Sequence, residues 1–353
     1  MSSVNVFKLN IVYRMATVNI NESEIFVPNR EVFEGSFAKK VGAVSPDIAF
    51  FVNKEAMEDN KFIKEEYINM TEEESTTKAQ EAFKGYIEEL KDNGIDVEIF
   101  HQSTKAADSV FPDWFVTWRN SIFPDGVLIL SAMKNLERRK ERMQEVIDDL
   151  KTRYADLIDL TTFEDECKYL ELKGALVTDW ENQKIYCNIS DRAHEEVFDY
   201  MIDKLNEIAA KHGERRIRGI KFTATDRNSE SIYHTDWMMT LFSKHVIICL
   251  SAIRDQTEKD MLIKELTDSE INVNPKEIVE LSFTESENMC ANMFDIIDNN
   301  GNHCVVMSKR ANEHFSSKNL DTLYQNYKVI VADIDIIENI GGGSARCMLV
   351  ELM

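Results

Sequence analysis

Apolar residues fall along this chain in short runs and in helical stripes, and the two alternate. Ile48-Ala49-Phe50-Phe51-Val52 is an unbroken apolar run, the mark of a buried strand. Residues 78–93 carry Ala79, Ala82, Phe83, Ile87 and Leu90 along one side and stop at Asn93-Gly94, which predicts an amphipathic helix ending in a turn. Val97-Glu98-Ile99-Phe100 and residues 126–130 predict the next strands, and residues 136–154 a charged helix. Two runs, 174–177 and 185–189, flank a short polar turn like a hairpin, and a helix over 193–211 follows. Strands at 219–223, 238–241 and 246–250 then precede a helix over 258–266. The series closes with strands at 278–281, 303–307 and 329–332, and a helix over 320–326 before the last.

Strand pairs alternating with helices imply an α/β fold, and the hairpins argue against a purely parallel, doubly wound sheet. The strand–strand–helix unit recurs at roughly 40 to 70 residues, a spacing compatible with a repeat architecture. Residues 1–42 read as an N-terminal extension, polar with short β-like pieces such as Asn10-Ile11-Val12-Tyr13, and residues 43–353 as the main domain.

Charge and cysteine content narrow the classes of function. A net charge of -22 argues against nucleic acid or an anionic membrane as partner. It suits a well-solvated surface, or a field that draws in a cation. Cysteines 167, 187, 249, 290, 304 and 347 form no C-x-x-C pair and no zinc spacing, and several sit in apolar runs such as Ile247-Ile248-Cys249-Leu250. Reduced thiols in a cytoplasmic protein fit that pattern better than a disulfide framework. Residues 1–9 lack a basic region followed by a long apolar stretch, so no signal peptide is expected. No window approaches roughly 18 uninterrupted apolar residues, so no membrane-spanning helix is expected.

Four segments set polar residues beside buried-looking strands. Ile340-Gly341-Gly342-Gly343-Ser344-Ala345-Arg346-Cys347-Met348 presents one thiol just after a glycine turn, where the backbone can approach a ligand closely. Its simpler reading is a buried cysteine at the end of a turn. Asp108 and Asp113 flank an apolar stretch, either as turn caps or as acceptors for the paired N–H donors of a guanidinium. Glu171 precedes Gly174, and His234 lies among apolar neighbours in Ile232-Tyr233-His234-Thr235-Asp236-Trp237. Cysteine, histidine and carboxylate together can make a nucleophilic site, but chance also supplies such triples, and spacing does not decide between these readings.

Together these segments resemble the guanidine-modifying, or pentein, superfamily. The nearest branch is similar to the amidinotransferases, citrulline-utilisation hydrolases and dimethylarginine dimethylaminohydrolases. The resemblance rests on residues 108–114, Arg138-Arg139-Lys140-Glu141-Arg142, residues 170–175, 232–239 and 341–348, in that order, and spans about residues 43–353. It implies an α/β-propeller of five ββαβ-type units around a pseudo-five-fold axis, with 43–353 as the catalytic domain. It further implies Cys347 as nucleophile, His234 as general acid and base, Glu171 as their acidic partner, and Asp108 and Asp113 as holders of a guanidinium. Arg138 or Arg139 would meet an amino-acid carboxylate, Arg139 being the preferred candidate. No metal and no organic cofactor is implied. The expected partner is a small guanidino or ureido amino acid such as arginine, methylarginine or citrulline, and a homo-oligomer is left open.

The implied reaction is hydrolysis of a C–N bond through a covalent thioether; amidino transfer between amines and non-catalytic binding are the alternatives. Departures from the branch pattern are local. A Glu-Gly-Thr-Gly order becomes Glu171-Leu172-Lys173-Gly174, and Trp118 stands where a histidine is usual. Lys173 would either oppose a bound cation or point to solvent from the opposite face of a strand.

Overall fold

The computed structural model describes residues 36–58, 62–213 and 216–353. The β-like pieces expected at 10–13 lie outside the described residues. Fifteen strands pair into five three-stranded sheets among the described residues, and all five share one plan. The strands are β1 (Lys40–Ser45), β2 (Asp96–His101), β3 (Phe115–Trp118), β4 (Val127–Leu130), β5 (Asp156–Asp159), β6 (Leu176–Asp179), β7 (Lys184–Asn188) and β8 (Arg218–Phe222). They continue with β9 (Met239–Leu241), β10 (His245–Ile248), β11 (Glu277–Glu280), β12 (Phe294–Ile297), β13 (His303–Ser308), β14 (Lys328–Ala332) and β15 (Val350–Glu351).

In each sheet the middle strand pairs antiparallel on one side and parallel on the other: β3-β4-β5, β6-β7-β8, β9-β10-β11 and β12-β13-β14. The antiparallel pair needs only a short connection, whereas the parallel pair needs a crossover, and a helix supplies it each time. Helices Gln144–Arg153, Glu195–Ala209 and Gln256–Thr267 make three of these crossovers, and Lys309–His314 with Ser317–Asn326 makes the fourth. The fifth sheet joins the two ends of the domain: β15 lies antiparallel to β1, and helix Glu72–Asp92 carries β1 across to the parallel β2. Middle strands β4, β7 and β10 are buried at every residue, which is why they read as continuous apolar runs.

Three expectations are corrected. Residues 48–52 form no strand: the backbone N–H groups of Ile48 and Ala49 donate to Gln102 Oε1, and that of Phe50 to Thr76 Oγ1. Side chains satisfy this buried backbone, so its apolar run packs as a loop. The strand is the preceding run, β1, which crosses the boundary drawn at residue 43. The helix expected over 136–154 is broken into Leu136–Arg139 and Gln144–Arg153. Its break follows the burial of Arg138 and Glu141, which pair with each other at 2.9 Å instead of facing water. Finally, residues 172–175 form a helical turn, and the strand begins only at Leu176.

Helix Glu72–Asp92 shows how sequence, packing and site connect. Thr71 caps it by accepting from the Glu74 amide at 3.2 Å, three glutamates face the positive end of its dipole, and Gly94 leaves it at φ 83°. Its buried stripe includes Ala79, Phe83, Ile87 and Leu90. Tyr86 on that stripe donates from its hydroxyl to the Ala345 carbonyl at 2.9 Å, which fixes the helix to the turn carrying Cys347.

Candidate active site

The glycine run near the C-terminus follows a helix, Asp335–Gly341, rather than a strand. Gly342 closes that helix at φ 70°, a left-handed conformation that favours glycine. Gly341 has a different constraint: a Cβ there would stand 2.4 Å from the Phe111 ring. The chain is thereby turned so that Cys347, only 9% exposed, faces a cavity. This cavity encloses about 810 Å³ including its mouth, and Asp113, Arg138, Arg192, His234, Asp236 and Asn292 share its wall with Cys347. Phe62, Tyr233 and Trp237 add aromatic surface.

Asn292 organises the sulfur. Its Oδ1 accepts from the amides of Arg346 and Cys347 at 3.1 and 3.3 Å, and its Nδ2 donates to Cys347 Sγ at 3.2 Å. The same Nδ2 donates to Asp236 Oδ2 at 3.1 Å, and that oxygen lies 3.6 Å from Sγ. Burial, reinforced by the Asp236 carboxylate, pushes the Cys347 thiol up to about 12; Lys173 partly opposes the rise.

His234 is held from two sides. Its Nε2 lies 2.8 Å from Glu171 Oε2, and its ring rests on Gly174, where a Cβ would stand 2.3 Å from Nδ1. Glu171 is fully buried; its Oε1 accepts from the Lys134 amide at 3.1 Å, and Arg192 Nη1 approaches its Oε2 at 3.4 Å. Burial works against its charge, yet Arg192 and His234 outweigh burial and hold this carboxyl well below the usual range. Arg192 also stacks on Tyr233, 4.1 Å from the ring centre.

The expected substrate-holding residues divide. Asp113 lines the cavity, but its Oδ2 is held by Arg138 Nη1 at 3.0 Å and its Oδ1 lies 3.1 Å from Lys173 Nζ. Against the effect of burial, Lys173 and Arg138 keep its carboxyl low. Asp108 lies behind the wall, accepting from Asn53 Nδ2 at 2.7 Å, and burial pushes it up to about 6. Arg139 does not line the cavity: its Nε donates to the Met133 carbonyl at 2.8 Å and pairs with Glu164. Arg138 lines it instead, through a guanidinium already engaged by Asp113, Glu141 and the Phe111 carbonyl.

Lys173 does not point to solvent. It is buried, pairs with Asp113, and donates to the Cys347 carbonyl. Asp236, Asn292 and Arg192 are among the cavity residues that sequence reasoning passed over. Asp236 stands two residues after His234 inside a segment already singled out, so a signal was present; Asn292 and Arg192 carried none. Among the described residues, no group of three or more His, Cys, Asp or Glu side chains could hold a metal ion.

Five antiparallel–parallel sheets and a cavity lined by cysteine, histidine and carboxylates define an enzyme of the pentein superfamily of arginine-modifying proteins. More narrowly, the model of the eukaryotic N,N dimethylarginine dimethylhydrolase family matches residues 46–353, and the chain belongs to that family. Among solved structures, the fold is similar to apo ArgZ, an arginine dihydrolase from the ornithine-ammonia cycle in cyanobacteria. That match has a TM-score of 0.66 at 15% identity, covering 89% of this chain and 40% of ArgZ. Unliganded AgrE matches with a TM-score of 0.65 at 16% identity, covering 89% and 39%. A dimethylarginine dimethylaminohydrolase variant in its adduct with S-methyl-L-thiocitrulline matches at 0.56 and 17% identity, covering 89% and 100%. The chain thus spans about 40% of the length of ArgZ and AgrE, and all of the last. No protein of curated function matches it in sequence.

Proposed function

We propose that this protein hydrolyses the C–N bond of a guanidino or ureido amino acid, with Cys347 as nucleophile. The observation that carries the reading is the position of Cys347 in one cavity with Asp236 and with His234, whose imidazole is bonded from behind by Glu171. Family membership supports the substrate class. ArgZ, whose N-terminal domain is described as bound to its substrate and, separately, to a reaction intermediate, supports a covalent route.

A guanidinium carbon is stabilised by resonance and needs a strong nucleophile held in line with it. The resting thiol is protonated near neutrality, because burial and Asp236 raise it; a bound cation beside the sulfur favours the thiolate. Attack forms an S–C bond while the C=N electron pair moves onto nitrogen. The proton lost by sulfur, carried by His234, goes to the departing amine as its C–N bond breaks. The thiouronium left on Cys347 then takes up water, deprotonated by His234; its C–S bond breaks and the thiol is restored. Arginine plus water would so give citrulline and ammonia, and a methylated arginine would release a methylamine. Glu171 keeps the imidazole oriented. The catalytic domain is assigned from about residue 38, since Ala38 is buried and its carbonyl accepts from Ile297 in the β12 strand.

The test is incubation with arginine, N-methylated arginines and citrulline, with and without added glycine or lysine. Formation of the hydrolysis products, unaffected by the added amine and abolished in Cys347→Ser, is the expected result. A new guanidino compound would replace hydrolysis by transfer. Absence of turnover with all substrates, together with equal alkylation of all six cysteines, would replace both by binding alone.

A further inference from the structure

Lys173 places an amino group against Asp113, beside the Cys347 backbone. Its side chain is only 5% exposed, its Nζ lies 3.1 Å from Asp113 Oδ1, and it donates to the Cys347 carbonyl and, at 3.5 Å, to that of Arg346. Arg138 holds the other Asp113 oxygen at 3.0 Å. A carboxylate grips a guanidinium best when both oxygens accept parallel N–H bonds. At Asp113 both oxygens already face cations of the chain itself. Asp236, 3.6 Å from Sγ, is the carboxylate that stands beside the sulfur.

Two consequences follow from chemistry alone. An incoming guanidinium shares Asp113 with Lys173, whereas a neutral ureido group meets no such competition. The same ammonium also holds the backbone of the nucleophile, because it bonds the carbonyls of residues 346 and 347. Lys173 is absent from the cavity wall, so it acts on a substrate only through Asp113 and the Cys347 backbone.

We propose that Lys173 is a positioning residue that sets the charge selectivity of the site, weakening its preference for a cationic guanidino group over a neutral ureido group while holding Cys347 in place. This inference rests on the reading of Cys347 as nucleophile.

A matched pair of thiol reagents tests it on the full chain without knowledge of the substrate. The cation 2-chloroacetamidine and neutral chloroacetamide have nearly the same shape, and each loses chloride as the Cys347 thiolate forms an S–C bond. The ratio of their rates, read by mass spectrometry of the Cys347 peptide, reports charge selectivity. In Lys173→Met and Lys173→Gln the amidine-to-amide ratio is expected to rise about tenfold, and the rate with neutral chloroacetamide to fall. Lys173→Arg should restore the wild-type ratio. A ratio within about twofold of wild type in both neutral variants, with wild-type Cys347 reacting selectively, would overturn the role of Lys173 alone. Should Lys173→Met fail to fold, Lys173→Gln carries the test; failure of both, with Lys173→Arg folded, would make the residue a structural ion-pair partner and overturn the proposal. Wild-type Cys347 reacting no faster than the other five cysteines would overturn the nucleophile assignment and this inference with it.

Discussion

Glu171 and Asp113 look alike at first sight: both are buried carboxylates, and each lies close to a basic nitrogen, 2.8 Å to His234 Nε2 and 3.1 Å to Lys173 Nζ. Their partners separate them. His234 lines the cavity and can give up and regain a proton during a reaction. Lys173 stands behind the wall and is engaged by Asp113 and the Cys347 carbonyl. Burial of a carboxylate is costly in both places and is offset by pairing in both. The pairing leaves an imidazole facing the cavity at one carboxylate, and at the other it sets Arg138 and Lys173 against the two carboxylate oxygens. A buried ion pair therefore says little about function until its partner, and the side of the wall that partner occupies, are known.

The largest test of this contrast removes the sulfur of Cys347, the proposed nucleophile. Cys347→Ser should lower kcat by at least about 10⁴-fold while a thermal melt stays near that of wild type. Activity at the wild-type level would place the chemistry elsewhere. Next in size is Gly174→Ala, which adds a methyl 2.3 Å from His234 Nδ1 and must push the ring off Glu171. A loss of about 10²-fold in kcat is expected, because small displacements of a reacting group are that costly. Gly85→Ala serves as its control, since a Cβ there meets nothing within 4 Å and the residue lies in helix Glu72–Asp92. That variant should keep full activity and gain about 0.5–1 kcal/mol of stability.

Glu171→Gln should cost less, about 10-fold to 100-fold in kcat with little change in KM, because the imidazole stays in place but loses its counter-charge. The same variant sharpens the comparison through acid. Glu171 is held below its ordinary value in the folded protein, so its stabilising contribution is present above the unfolded carboxylate range and is lost as pH falls toward the folded value. Wild type should then lose more melting temperature than Glu171→Gln between about pH 5 and pH 3. Equal losses in the two proteins would show that Glu171 contributes nothing to acid sensitivity.

Much of the frame was legible along the chain. Middle strands β4, β7, β10 and β13 were visible as apolar runs, and most crossover helices as amphipathic stripes. Both signals are local, because burial repeats with the period of the element itself. The errors arose where burial was not matched by regular hydrogen bonding. Residues 48–52 are as apolar as a strand, yet Gln102 and Thr76 satisfy their backbone. Residues 136–154 are as charged as a solvated helix, yet Arg138 and Glu141 turn inward.

Among the candidate site residues singled out by motifs, Cys347 and His234 line the cavity, and Glu171 is bonded to His234 behind it. Asn292 carried no motif, although it bonds the amide and the sulfur of Cys347. Arg139 was preferred over Arg138 because adjacent arginines cannot be told apart by type; the helical turn at Leu136–Arg139 points one inward and the other to Glu164. By itself, the sequence determined the order of strands and helices, the acidic balance and the residue types available for chemistry, since these depend on local spacing and composition. Only the tertiary structure decided that Lys173 meets Asp113 while His234 meets Glu171, because such pairs join distant segments through burial, where every charge must find a partner.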